Sequence, residues 1–172
     1  MSQFWYAMLV GLVAAERLTE LIVAKRNLAW SLARGGRETG FGHYPFMVVL
    51  HTGLLVGCVL EVWFGDRAFT AALGWPMLAL VVASQALRWW CIRTLGRQWN
   101  TRIVVVPGLA RVTGGPYRLV PHPNYVAVVV EGFALPLVHG AWLTAVVFTV
   151  VNAGLLMVRI RAENQALRSA YA

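Results

Sequence analysis

Residues 44–64 read YPFMVVLHTGLLVGCVLEVWF, a run whose one formal charge is Glu61. A helix that crosses the hydrocarbon core of a bilayer needs roughly 20 mostly apolar residues, and this run supplies them. Similar runs lie on either side of it, at about Phe4–Ala24, Phe69–Leu95, Pro123–Val138 and Ala141–Val158. The spacing predicts an all-α integral membrane protein of about five transmembrane helices. A polar loop follows the first run, a turn with Asp66 and Arg67 follows the second, and His139-Gly140 make a tight turn between the last two. A long connection, Gly96 to Pro121, separates the third run from the fourth, and the polar tail from Arg159 to Ala172 continues as a helix. Composition agrees: 59% of the 172 residues are hydrophobic and 13% charged, against about 25% charged in a soluble domain. The length suits one membrane-embedded domain, residues 1–172, and neither an internal repeat nor a low-complexity segment is visible.

The formal net charge is +8. In a membrane protein such an excess reflects cytoplasmic loops and anionic headgroups, and no basic face interleaved with aromatics points to a nucleic-acid partner. Lys25, Arg26, Arg34 and Arg37 follow the first run; Arg93, Arg97, Arg102, Arg111 and Arg118 belong to the long connection or its edge; Arg159, Arg161 and Arg168 occupy the tail. The opposite side has only Arg67. The bias predicts the N-terminus outside and the C-terminus, the loop and the long connection in the cytoplasm. Cys58 and Cys91 lie in apolar runs and read as small packing residues, and no Cys/His cluster has zinc spacing. The start of the chain lacks a basic n-region and its apolar run carries Glu16, Arg17 and Glu20, so a cleaved signal peptide is not expected.

The connection from Gly96 is longer, more basic and more aromatic than a linker needs to be. Ile103 to Val106 is β-branched and reads as extended, while Pro107-Gly108 and Gly114-Gly115-Pro116 read as turns. Irregular backbone near a membrane is tolerated where it is packed in protein or lines a wet cavity, so this segment reads either as a cavity wall or as a surface loop. His122-Pro123-Asn124-Tyr125 opens the fourth run, with Pro at the first helical turn and His122 where unpaired N–H groups gather. On the last helix Arg159 and Glu163 are four apart and share a face, and Asn152 lies two turns earlier on the same side. This polar stripe is either a ligand-binding face or a solvated ion pair. Charges inside the runs, namely Glu16, Arg17, Glu20, Arg88 and Glu131 with Gln85, are expected to face the bundle interior, paired or lining a polar cavity. Arg17 and Glu20 are near enough to pair, and Arg88 has Glu131 or a first-run Glu as candidate partners. His51 reads as a satisfied core or interfacial histidine.

Gly115-Pro-Tyr-Arg118, His122-Pro-Asn-Tyr125, Pro136-Leu137, Arg159-Ile-Arg-Ala-Glu163 and Leu167, at this spacing, resemble the isoprenylcysteine carboxyl methyltransferase family over about residues 96–167. Arg17-Leu-Thr-Glu20, the Asn124/Glu131 pair and Asn152 look like a bacterial subgroup linked to lipidic polyketides. The resemblance implies a small helical membrane bundle in the bacterial inner membrane. It implies transfer of a methyl group from S-adenosylmethionine to a lipidic substrate at the cytoplasmic edge. Gly115, Pro116, Tyr117, Arg118, His122, Pro123, Asn124, Tyr125 and Glu163 are then the cofactor-binding candidates. Asn152, Glu131, Arg159 and Trp99 are the substrate-binding candidates, and Arg159, Glu163 and His122 the catalytic ones. No metal is expected. The family usually has Arg directly before His-Pro; here Pro121 stands there, so what that Arg does is either absent or supplied by Arg118 or Arg111. An ionised carboxylate acceptor needs no base, whereas a phenol, with a pKa of about 10, needs its anion stabilised by Arg159 or a base such as His122 or Glu131. Phospholipid N-methyltransferases and nicotinamide-dependent sterol reductases have related C-terminal motifs and are the nearest alternatives. A membrane scaffold or small transporter is the alternative of another class, though no repeated broken spans support a transporter.

Overall fold

The structure, a computed structural model, describes residues 1–40, 42 and 44–171; Ala172, the end of the expected tail helix, lies outside them. Five long helices follow one another: α1 (Gln3–Leu32), α2 (Tyr44–Phe64), α3 (Ala71–Leu95), α4 (Pro123–Leu137) and α5 (Trp142–Tyr171). Two three-residue strands, β1 (Arg37–Thr39) and β2 (Ile103–Val105), pair antiparallel with Glu38 opposite Val104. Short 3₁₀ turns occupy Gly96–Gln98 and Gly115–Arg118.

The molecule is inverted relative to a soluble protein. Phe4, Leu12, Phe46, Val49, Phe64, Val82 and Val150 are exposed, while Glu20, Arg88, Glu131, Asn152 and Arg159 are buried. Water does not stabilise such a surface, but hydrocarbon does. Three helices of the described residues, Tyr44–Phe64, Ala71–Gln98 and Trp142–Ala170, are long and apolar enough to cross a membrane. The chain is therefore an all-α membrane protein. α1 has the length but carries Glu16, Arg17 and Glu20 on its inner side, and α4 has only 15 residues.

α1 departs from expectation at its end. Lys25 and Arg26 belong to the helix, which continues through Leu32, because no breaker appears before Gly35-Gly36. Gly35 adopts φ +74° and Gly36 N–H donates back to the Ser31 carbonyl at 2.9 Å, a left-handed stop that glycine makes at no steric cost. The buried stripe of α1, namely Tyr6, Val10, Val13, Glu20, Ala24, Asn27 and Ser31, turns from apolar to polar along its length. Tyr6 donates its hydroxyl to the Leu135 carbonyl at 3.0 Å, fixing α1 to α4.

α4 packs between α3 and α5. Gly132 lets it approach Phe148 of α5, where any side chain would overlap the ring. At the end away from the long connection, Glu61 of α2 closes the start of α5. Its Oε1 accepts from Leu143 N–H at 3.1 Å and its Oε2 from Thr144 N–H at 2.7 Å and Thr144 Oγ1 at 2.8 Å. These N–H groups have no partner within the helix, so an anionic acceptor there is favourable. Cys58 and Cys91 are free and buried, as packing residues should be.

At the opposite end, the C-terminus of α1, the β1–β2 pair, the Gly96–Pro121 connection, the start of α4 and the last turns of α5 come together. Ile103–Val105 is extended, as its β-branched sequence predicts. Its partner Arg37-Glu-Thr39 has no strand pattern and is held by Arg102, whose Nη1 lies 3.0 Å from Glu38 Oε1.

Candidate functional site

Two cavities meet at this end. The first is a cleft of about 100 Å3 between β2, the Gly96–Thr101 segment, the start of α4 and α5, reached by Tyr117, His122, Asn124, Tyr125, Arg159 and Glu163. The second, about 330 Å3, is a mostly apolar groove between α1 and α2, lined by Leu18, Leu21, Val48 and Leu55 and floored by Val128 and Glu131. The second falls at the lower end of the roughly 300–1,000 Å3 of small-molecule sites, and the first is smaller. Trp99, Asn100, Asn124, Tyr125 and Arg159 line both.

Tyr125 is the hinge of this junction. Pro123 starts α4 without loss of a hydrogen bond, since the first helical N–H groups have no intrahelical partner, and Tyr125 N–H bonds to the His122 carbonyl at 3.1 Å. The Tyr125 hydroxyl donates to Glu163 and accepts from Arg159 Nε at 2.8 Å. The i,i+4 pair read from the sequence is thus joined through a phenol rather than directly. Arg159 Nη2 donates to the Thr101 carbonyl at 2.6 Å, and Nη1 reaches only the Met47 sulfur at 3.3 Å. Among the described residues no carboxylate pairs with Arg159, although it is buried. A buried cation whose counter-charge is one group removed suits an anionic ligand oxygen. The His122 ring stacks on Tyr125 at 5.3 Å, and its Nε2 lies 3.0 Å from Asn164 Oδ1. Its Nδ1 lies 3.8 Å from Glu163 Oε2.

The other predicted residues divide. Tyr117 reaches the cleft, and its burial, with the nearby Cys91, raises its pKa well above the ordinary tyrosine value, so it stays a neutral hydroxyl at physiological pH. Gly115, Pro116 and Pro123 do not line either cavity. Gly115, at φ +55°, packs against Thr94 and Trp90 of α3 and so places Tyr117. Arg118 and Arg111 are exposed and lie outside both cavities. Asn152 is buried with Oδ1 unpartnered but lines neither cavity. Glu131 lines the groove, where its Oε2 accepts from Arg17 and from Arg88 Nη2 at 2.6 Å. Both pairings expected of Arg88 occur, since its Nε also lies 3.1 Å from Glu20 Oε1, at an angle that makes this an ion contact rather than a hydrogen bond. His51 is satisfied, with Nδ1 2.8 Å from the Met47 carbonyl.

Sequence reasoning missed Asn100, Thr101, Arg102 and above all Asn27. Asn27 Nδ2 of α1 donates to the Gly96 carbonyl at 3.1 Å and the Trp99 carbonyl at 2.7 Å. It therefore holds the wall common to both cavities. Its signal was its place on the same helical stripe as Glu20 and Ala24. Asn27→Ala leaves two carbonyls without their donor and is expected to lower stability by about 1–3 kcal/mol, measured by thermal unfolding.

The bundle thus joins a partly polar cleft to a mostly apolar groove. Residues 77–169 match the model of the Isoprenylcysteine carboxyl methyltransferase (ICMT) family. A protein of Bacillus subtilis (strain 168), "Uncharacterized protein YpbQ", is 37% identical over 166 residues, covering 96% of each chain. No solved structure is significantly similar. The chain belongs to the isoprenylcysteine carboxyl methyltransferase family. Membership points to a membrane methyltransferase, in a family whose methyl donor is S-adenosylmethionine.

Proposed function

We propose that the protein transfers a methyl group from S-adenosylmethionine to an ionised oxygen, carboxylate or hydroxyl-derived, of a lipidic acceptor at the cytoplasmic face of a bacterial inner membrane. The observation that carries this reading is the pair of cavities joined at Asn124, Tyr125 and Arg159. One suits a water-soluble donor and the other a chain dissolved in the bilayer, so each reactant arrives from its own phase. The orientation rests on the positive-inside bias of the loops at this end.

The cleft residues suit the cofactor. Buried polar atoms without partners, Trp99 Nε1, Asn100 Nδ2 and Asn124 Oδ1, surround it, and such atoms call for a polar ligand. Glu163 would take the ammonium or ribose hydroxyls, and Ile103 with Val105 would cover the adenine. When bound, the cofactor supplies an electrophilic methyl carbon on a sulfonium. The chain supplies position and charge. Arg159 holds the acceptor oxygen as its anion beside Tyr125, and Trp99 and Asn100 shut the junction against water. His122 lines the cleft and not the groove, so its part is to fix Tyr125 by stacking rather than to reach the acceptor as a base. Glu131 is likewise a poor base, because two guanidiniums already bond to its oxygen.

The test is incubation of the purified protein with methyl-labelled S-adenosylmethionine and a panel of long-chain carboxylates, alkylphenols and alkyl-hydroxypyrones. Labelled ester or ether is expected from at least one class. No label in any lipid, or label only in an amine phospholipid, overturns the reading.

A further inference from the structure

The groove between α1 and α2 is lined by apolar side chains, yet one wall holds four charges. Arg17 donates to Glu20 Oε2 at 2.8 Å and to Glu131; Arg88 reaches the same two carboxylates, Glu20 Oε1 at 3.1 Å and Glu131 Oε2 at 2.6 Å. The ring is electrically balanced, with two guanidiniums against two carboxylates. Packing alone does not require it, since well-packed apolar residues of similar volume usually serve as well or better in such a place. Charges at membrane depth mark functional sites by default.

The four members are not equivalent. Arg17 retains 18% of its side-chain exposure, whereas Glu20, Arg88 and Glu131 keep 5%, 3% and 2%. A guanidinium has five N–H donors, and the carboxylates take one from each terminal nitrogen of Arg17. Its three remaining N–H donors have no partner among the described residues, and Arg17 lines the groove. This point is separate from the junction: Glu131 follows Tyr125 by six positions on α4, about 9 Å at 1.5 Å per residue. One ligand atom does not serve both places.

We infer that Arg17, braced by Glu20, Arg88 and Glu131, is a specificity-determining residue that donates to a second oxygen on the acceptor's head, distinct from the oxygen held at Arg159. The inference rests on the proposed function and narrows it. The acceptor is a single-chain amphiphile whose compact head carries at least two hydrogen-bond acceptors, with its alkyl chain running between Leu18, Leu21, Val48 and Leu55 toward the lipid. A plain fatty acid or a simple alkylphenol fills only half of the polar site.

Binding, not turnover, is the test, which keeps it separate from the methylation assay. The probes are a long-chain alkylphenol and the matching alkylresorcinol, which has one more ring hydroxyl, titrated against detergent-solubilised protein. Wild type is expected to bind the resorcinol at least tenfold tighter. Arg17→Met is expected to reduce that preference to under threefold while S-adenosylmethionine affinity stays within twofold. Arg17→Lys keeps the charge balance but loses the fork; it is expected to lose most of the preference and covers the case in which Arg17→Met does not fold. Equal binding of both probes by wild type, binding of neither, or a preference retained in both variants overturns the inference. Failure of methylation with the preference intact would overturn the proposed function instead.

Discussion

Arg159→Ala is expected to lower kcat/KM for methyl transfer by about 100- to 1,000-fold, the scale seen when one preorganised charge-stabilising donor is removed from a reacting oxygen. Among the described residues it is the one buried cation lining both cavities, and its near partners are a phenol, a carbonyl and a thioether. Its loss removes the counter-charge for an acceptor anion and releases Tyr125. Arg159→Lys should recover little, because one ammonium does not reach the Tyr125 hydroxyl, the Thr101 carbonyl and a ligand together. A second signature separates this role from simple unfolding. Acceptors that ionise readily should suffer less than weakly acidic ones, since for them less of the anion has to be stabilised in the site. Steady-state kinetics with a carboxylate and a phenol acceptor, alongside thermal unfolding, measures both. Full activity in Arg159→Ala rules out the proposed site.

The largest effect on stability belongs to Arg88→Met, expected to cost about 3–5 kcal/mol, the range for breaking a buried ion pair by removing one partner. Arg88 is almost fully buried and reaches both carboxylates of the ring. Without it, two carboxylates share the single Arg17, and the ring has a net negative charge at membrane depth. Adding Glu131→Gln restores balance, leaving Arg17 with Glu20. The double variant should therefore regain most of what the single one loses, a non-additivity expected only of residues within one network. Thermal unfolding in detergent of the wild type, both single variants and the double reads this directly. Additive losses would mean that the four residues do not act as one charge-balanced unit.

The five helices were legible because lipid leaves so coarse a mark. A run such as residues 44–64 has to be apolar almost throughout, and no competing fold tolerates it in water. Arg159, Glu163, His122 and Tyr125 were legible for another reason, as they stand at helix spacings and at a proline-started helix, where geometry follows from sequence. The β1–β2 pair was not, because Arg37-Glu-Thr39 is an edge strand of three residues set by tertiary contact alone. Asn27 was hidden in the same way, since an asparagine's carbonyl partners lie 69 and 72 residues further along the chain and no local pattern encodes them. Gly115 and Pro116 were read as ligand contacts from a motif. Their places against α3 show how a motif also preserves the packing that aims its neighbour, Tyr117. The Arg17–Glu131 bond joins α1 to α4, and only the cost of an unpaired charge in hydrocarbon suggested that some such partner existed.

The brevity of α4 affects the membrane as well as the protein. Fifteen residues make a rod of about 22 Å, against a hydrocarbon layer of about 30 Å, and Val126, Val129 and Phe133 turn one side of it outward. Acyl chains meeting that side have to shorten or tilt, at a cost of fractions of a kcal/mol per Å of mismatch. A bilayer that thins to match so short a helix would bring its aqueous boundary nearer the helix ends. Under the proposed function, lipid thickness would then set how far an acceptor has to move to reach Arg159, so bilayers of different chain length are expected to change the rate of methyl transfer.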